Sequence, residues 1–234
     1  MKLYAAKIRE ISDRLWERLF PLLDRKRQEK TVALKQEKER LRSIYAGLLL
    51  RYAFLEEGHS EEMWQHIEIV EGSHGKPYLS NGTDFFYSLS HSGEWAVCAV
   101  DDMETGVDVQ KVGALKLAVA KRFYSREEYC RLLRYESEPD RQTMDLYRIW
   151  AAKESCVKLT GRGIGAGIQR YVTDSAYTHI NDTEEKNFFL IRLYEEIQDY
   201  IICACSKREC FPEHIIMITD LTENMFNMGG EGTC

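Results

Sequence analysis

The sequence predicts a mixed α/β chain of the α+β kind, in which two similar halves repeat one order of elements. Three observations carry that prediction. Stretches with apolar residues at helical spacing are separated by short β-branched and aromatic runs, and the order of helix followed by strands occurs twice. In addition, Trp95-Ala96-Val97-Cys98-Ala99-Val100 is echoed by Tyr200-Ile201-Ile202-Cys203-Ala204-Cys205. With 234 residues, 44% of them hydrophobic, the chain is long enough to build one large or two small domains with a real core.

Ile11, Leu15, Trp16, Leu19 and Phe20 fall at helical spacing over residues 10–20, and Pro21 breaks that helix. A second helix is expected from about Glu37 to Glu56. Residues 66–71 alternate in polarity as a strand does, and Phe85–Leu89 and Trp95–Val100 read as further strands, punctuated by Asn81-Gly82 and Ser92-Gly93. The second half opens with a strand at Gly106. It continues through helical stretches near Lys116–Arg122, Arg126–Tyr135 and Asp145–Thr160, and ends in strands around Phe188–Tyr194 and Tyr200–Cys205. The boundary falls near Met103–Thr105, giving halves over 1–104 and 105–220; residues 221–234 read as a flexible tail.

Seven cysteines form an odd set without a CxxC pair, and Cys98, Cys203 and Cys205 lie in apolar runs where a thiol acts as a small hydrophobe. A reduced, cytoplasmic protein is expected. The first ten residues are charged where a signal peptide needs an apolar segment, and no 18 apolar residues run together, so neither secretion nor membrane spanning is expected. A net charge of −6 speaks against nucleic acid and anionic membranes as partners. Locally the sign reverses: between Asp24 and Arg42 eight basic residues face four acidic ones, a pattern that suits a small polyanion as well as a solvated helix.

Two short blocks carry most of the chemistry. Gly106-Val107-Asp108-Val109-Gln110 reads as a buried strand with one acid between two valines, and an unpaired buried carboxylate is costly enough that a cation or donors must meet it. Trp150, Glu154 and Lys158 share one face of a helix at i, i+4, i+8 spacing. Asp108 and Glu154 together suit Mg²⁺, which takes one or two carboxylates and completes its shell with water and phosphate oxygens. The bland alternatives are a surface ion pair for Glu154 and Lys158, worth about 0.2–0.5 kcal/mol, and a turn acid for Asp108. Gly161, Gly163, Gly165 and Gly167 follow a helix instead of joining a strand to one, so no nucleotide-loop fingerprint applies.

Four blocks in order, Gly75-Lys76-Pro77-Tyr78, Leu89-Ser90-His91-Ser92-Gly93, Gly106-Val107-Asp108-Val109 and Trp150 through Gly163, resemble the 4′-phosphopantetheinyl transferases of the broad-specificity, surfactin-synthetase-activating type. Weaker similarity runs from about residue 1 to about residue 220. The resemblance implies two α/β halves related by a pseudo-twofold, with the active site in the cleft between them. It implies Mg²⁺-dependent transfer of phosphopantetheine from coenzyme A to a serine of an apo acyl or peptidyl carrier protein, releasing 3′,5′-ADP, by a monomer. Glu154 is then a metal ligand and the base for the serine hydroxyl, and Lys158 a phosphate contact and acid. Asp108 is a metal ligand too. The resemblance places His91 and, by weaker alignment, Arg27, Lys30 and Ser43 around the 3′-phosphate. Ser90 falls near the pyrophosphate, Lys76 near the nucleotide and Lys153 near the phosphates. One departure stands out: the family has a glutamate two residues after the strand aspartate, and this chain has Gln110, a neutral and weaker ligand in the metal set. Competing readings are a catalytically silent coenzyme A or carrier-protein binding module, and nucleic-acid binding through residues 25–42.

Overall fold

The computed structural model of the chain describes residues 1–72, 74–80, 84–114, 117–163, 165 and 167–227. It opens with β1 (Lys2–Lys7), a strand that pattern reading does not reveal because its four central residues are all buried and show no alternation. The expected first helix is shorter than its pattern. Ser12 accepts the Leu15 N–H at 3.3 Å and starts α1 (Asp13–Leu19), which passes into a 3₁₀ turn at Phe20–Leu22 containing Pro21. Asp24 caps α2 (Arg25–Ala33), so the basic run is divided between this helix and α3 (Glu37–Glu56), whose bounds agree with expectation. Ser60 then caps α4 (Glu61–Gln65). His66 ends that helix, and the strand predicted from 66 begins only at β2 (Ile69–Glu71), which pairs with β3 (Pro77–Leu79). The half closes with β4 (Phe86–Ser92) and β5 (Trp95–Asp101).

The second half comprises β6 (Thr105–Lys111), α5 (Leu117–Phe123), α6 (Arg126–Leu133), α7 (Pro139–Thr160), β7 (Tyr171–Thr173), β8 (His179–Asp182), β9 (Asn187–Tyr194) and β10 (Tyr200–Ser206). Helix α7 begins earlier than Asp145 because Pro139 sits in its first turn, where a missing N–H costs nothing. Gly161 ends it in the left-handed region at φ 67°. The chain then returns to the first half. β11 (Ile216–Ile218) pairs in parallel with β1, and α8 (Leu221–Asn227) buries Leu221 and Met225 in the first-half core. The expected tail from residue 221 is therefore corrected as far as 227: it carries too few apolar residues to show a period, yet each has a socket. The Asn81-Gly82 turn and residues 228–234 lie outside the described residues.

Beside the two-stranded β2-β3 sheet, two larger sheets result, ordered β11-β1-β5-β4 and β6-β10-β9-β8-β7. Helix α3 packs on the first and α7 on the second, so each half is a long helix on a sheet. The faces turned away from those helices meet in a shared core built by Leu3, Ala5, Val97 and Ala99 from one sheet and Val107, Val109, Ile202 and Ala204 from the other. At the seam, three serines of β4 do the work of a backbone ladder. The hydroxyls of Ser88, Ser90 and Ser92 accept the N–H groups of Val107, Val109 and Lys111 at 3.0, 3.3 and 3.0 Å. These are the alternate N–H groups of β6 that point away from β10, and they would otherwise be unpaired at a sheet edge. Among the described residues no helix is long and apolar enough to cross a membrane.

Helix α7 lies close on β6 at Gly106. A Cβ there would meet the carbonyl of Ser155 and lie 2.7 Å from the N of Leu159. Backbone atoms of a helix cannot swing aside as a side chain does, so Gly106→Ala is expected to destabilise the protein by roughly 1–3 kcal/mol, measured as a lowered denaturant midpoint at unchanged m-value.

Candidate active site

A cleft of about 480 Å³ runs between the halves, with α2, β4 and the approach to β3 on one side and β6 and α7 on the other. Asp108 stands where the walls meet. Its neighbours Val107 and Val109 point into the shared core, so strand alternation sends the Asp108 side chain to the opposite face, toward α7. It is 3% exposed and accepts three donors: the Ser90 hydroxyl at 2.8 Å and the Lys158 ammonium at 2.7 Å on Oδ1, and the Gln110 amide at 2.6 Å on Oδ2. One donor comes from the first half and two from the second. The buried carboxylate thus ties the halves together.

Glu154 is 8% exposed, and no hydrogen-bond donor reaches its carboxylate among the described residues. Burial, followed by the charge of Asp108, pushes its pKa up to about 7, while Lys158 pulls in the other direction. Two carboxylates within electrostatic reach of one another, one of them without a donor, form an unfinished anionic site. No cage of three or more His, Cys, Asp or Glu side chains exists among the described residues. The donor set suits a hard divalent cation that obtains its remaining ligands from water and phosphate oxygens. Asp108 and Glu154 would hold it, and Gln110, whose nitrogen is committed to Asp108, has its amide oxygen left to offer.

The other expected residues divide into those that line the cleft and those turned to structural use. Arg27 and Lys30 of α2 and His91 of β4 line it. His91 is surface-accessible yet crowded by the concave wall, which lowers its pKa, with Lys158, Arg42 and Arg27 adding repulsion and Glu39 opposing them. Ser90 lines the cleft, but its proton is given to Asp108 and its oxygen accepts from Val109. Lys76 contributes its stem to the wall, while its ammonium pairs with Glu104 and donates to the Leu159 carbonyl at 2.8 Å, capping the end of α7. That is a clamp across the halves.

Two expectations are corrected. Lys153 is fully buried away from the cleft, paired with Glu128 at 2.9 Å and bonded to the Tyr171 carbonyl. Adjacent residues on a helix project about 100° apart, so with Glu154 turned toward Asp108 Lys153 faces the core. Ser43 is buried behind the wall, where its hydroxyl shares a hydrogen bond of 2.7 Å with Thr31. Sequence reasoning passed over Tyr87 and Asp24. Tyr87 lines the cleft beside Arg27, and both residues line a smaller adjoining cavity. Alternation along β4 would have placed Tyr87 on the face of His91, whereas a lone acid ahead of a basic run gives no signal beyond a helix cap.

Comparison with known proteins follows the same division of the chain. Residues 104–205 match the model of the 4′-phosphopantetheinyl transferase superfamily, and residues 10–103 match that of the 4′-phosphopantetheinyl transferase N-terminal region. The 4′-phosphopantetheinyl transferase psf-1 of Bacillus pumilus is 28% identical, covering 97% of this chain and 98% of its own. The 4′-phosphopantetheinyl transferase Sfp of Bacillus subtilis is 27% identical over 94% of this chain and 98% of its own. The 4′-phosphopantetheinyl transferase gsp of Aneurinibacillus migulanus is 24% identical over 84% and 81%. With both halves matched in order and relatives aligned over nearly the whole length, the chain belongs to the 4′-phosphopantetheinyl transferase superfamily.

Proposed function

We propose that this protein transfers the 4′-phosphopantetheine group of coenzyme A to a serine hydroxyl of an apo acyl or peptidyl carrier protein, with Mg²⁺, releasing 3′,5′-ADP. The observation that carries this reading is that Asp108 and Lys158 line a cleft whose walls also hold Arg27, Lys30 and His91, with Glu154 within electrostatic reach of both. Anion-binding groups thus adjoin a carboxyl group poised near neutral pH. Six described cysteines, none of them paired, accord with a reducing cytoplasm. Both cleft walls come from one chain, which accords with a monomer.

In this reading the serine Oγ forms a bond to the β-phosphorus of coenzyme A while the pyrophosphate P–O bond breaks and its electron pair leaves with 3′,5′-ADP. Glu154 takes the serine proton. Lys158 stands one turn along α7, with its ammonium on Asp108, and moves from that carboxylate to the pyrophosphate oxygens as charge grows there. Arg27, Lys30 and His91 neutralise the remaining phosphate. Mg²⁺ when bound supplies further charge neutralisation on the pyrophosphate. Ser90 keeps Asp108 in place throughout. Of the basic run between residues 24 and 42, weighed as a nucleic-acid surface, three residues are engaged otherwise: Arg25 pairs with Glu29, Lys26 with Glu71 and Arg42 with Glu39.

Asp108→Ala and Glu154→Ala are each expected to lower transfer by at least about a hundredfold, read by mass spectrometry of a panel of apo carriers after incubation with coenzyme A and Mg²⁺. Full turnover by either variant overturns the assignment, and coenzyme A binding without transfer by the natural protein would identify a silent binding module.

Glu154 also gives a stability signature. Its folded pKa of about 7 lies above the ordinary value of 4.5, so the folded state holds the extra proton and the metal-free protein loses stability as pH rises through that interval. Glu154→Gln is expected to overtake the parent above neutrality by on the order of 1–3 kcal/mol, seen as a gap between urea midpoints that widens from pH 5 to pH 8.

Gln110→Glu places a second carboxylate against Asp108 Oδ2 where an amide now donates. The expected outcome is a lower Mg²⁺ concentration for half-maximal transfer; an unchanged midpoint would exclude Gln110 from the metal's surroundings.

A further inference from the structure

Two charged side chains stand next to one another in the middle of α7, and the fold treats them in opposite ways. Glu154 is left without a donor beside Asp108. Lys153, fully buried, has its ammonium paired with Glu128 at 2.9 Å and donating to the Tyr171 carbonyl, with the Ile168 carbonyl at 3.5 Å and the centre of the Tyr124 ring at 5.7 Å. Glu128 is 1% exposed and equally committed: one oxygen accepts the Ser125 N–H at 2.9 Å and the other the Thr173 N–H at 2.9 Å. A single ammonium therefore joins α7 to α6, to a 3₁₀ turn at Ile168–Arg170 and to the start of β7. That turn is where the chain returns from Gly161 and Gly163 on the cleft wall.

Burying an ion pair is a poor way to gain stability, because the desolvation of two charges offsets their attraction and well-packed apolar residues of similar volume serve as well or better. Directional bonds do something that apolar contacts do not. A helix held to a sheet by apolar side chains can turn or slide with little change in buried area, whereas an ammonium fixed on three acceptors sets both its rotation and its axial position. At the crossing with β6 the facing residue is Gly106, which brings the backbones close but has no side chain to key that rotation. The other charged tie near Glu154 is Lys158 on Asp108 at 2.7 Å, and in the transfer reaction that ammonium leaves for the pyrophosphate. Lys153 stays in place, since its partners lie in the core. We propose that Lys153 is a positioning residue for phosphopantetheine transfer: anchored on Glu128 and on the carbonyls of Ile168 and Tyr171, it sets the rotation of α7 and thereby the place of the Glu154 carboxyl group beside Asp108. The proposal rests on the transferase reading given above.

Lys153→Met keeps an unbranched side chain but strands the Glu128 charge, so it is tested beside Lys153→Met/Glu128→Gln, in which neither charge remains and glutamine still serves the capping box of α6. Steady-state transfer to an apo acyl carrier protein is measured on the full chain, with Mg²⁺ saturating and rates taken per folded molecule, and urea midpoints are read alongside. Both variants are expected to lower kcat by roughly ten- to a hundredfold, with KM for coenzyme A within about twofold of the parent. The double variant is expected to recover the urea midpoint without recovering kcat. In a Glu154→Gln background, Lys153→Met is expected to add less than about a twofold further loss, because a group that acts through Glu154 then has nothing left to place. A parental kcat in folded Lys153→Met, a kcat that returns with the urea midpoint in the double variant, or losses that multiply in the Glu154→Gln background would overturn the positioning role alone. Absence of transfer by the natural protein to a panel of apo carriers overturns the transferase reading and the positioning role with it.

Discussion

The Asp108 carboxylate has only one direction in which to point, because the residues on either side of it are locked into the core shared by both sheets. Everything about the cleft depends on how that buried charge is satisfied. Ser90 supplies a donor from the first half, Lys158 and Gln110 supply two from the second, and the three together convert a costly buried anion into the joint between the halves. The same Ser90 oxygen accepts from the backbone of β6, so one hydroxyl both orients the carboxylate and, with those of Ser88 and Ser92, joins β4 to β6. Loss of that hydroxyl would therefore disturb both the seam and the acid it orients.

Three other buried or half-buried charges show how differently the chain treats its ionic groups. Lys153 is enclosed by Glu128 and main-chain carbonyls, and Glu128 in turn caps α6 and accepts from Thr173. That network holds α6, α7 and β7 together and leaves no donor unused. Lys76 joins Glu104 to the end of α7 across the two halves. Glu154 receives no such support and is driven toward its neutral form at physiological pH. Unlike Lys153 and Lys76, Glu154 is left without a donor beside another carboxylate, and a buried acid shifted in this way marks a functional site.

The basic segment follows the same logic at lower cost. Arg25 and Lys26 find acids nearby in pairs that are exposed and weak, while Arg27 and Lys30 remain on the cleft wall. An overall charge of −6 is no obstacle to anion binding when a concave wall concentrates a few cations.

By itself the sequence determined what depends on short periods. Helix α3 keeps its predicted bounds, β5 and β10 fall where their echoed motifs lie, and Asp108 stands opposite Glu154 and Lys158 because alternation along a strand and a four-residue step along a helix are local geometry. Arg27, Lys30 and His91 line the cleft. What only the tertiary structure decided concerns the partner each polar group takes. Lys153 turned from the phosphates to Glu128, Ser43 turned inward to Thr31, Ser90 gave its proton to Asp108, and the segment after residue 215 returned to the first sheet to cover β1 and α3. Asp24 and Tyr87, far apart in the chain, come to line one cavity. Local spacing fixes which way a side chain leaves its own element, but the group it meets belongs to another element, and burial selects that group from residues that no sequence window brings together.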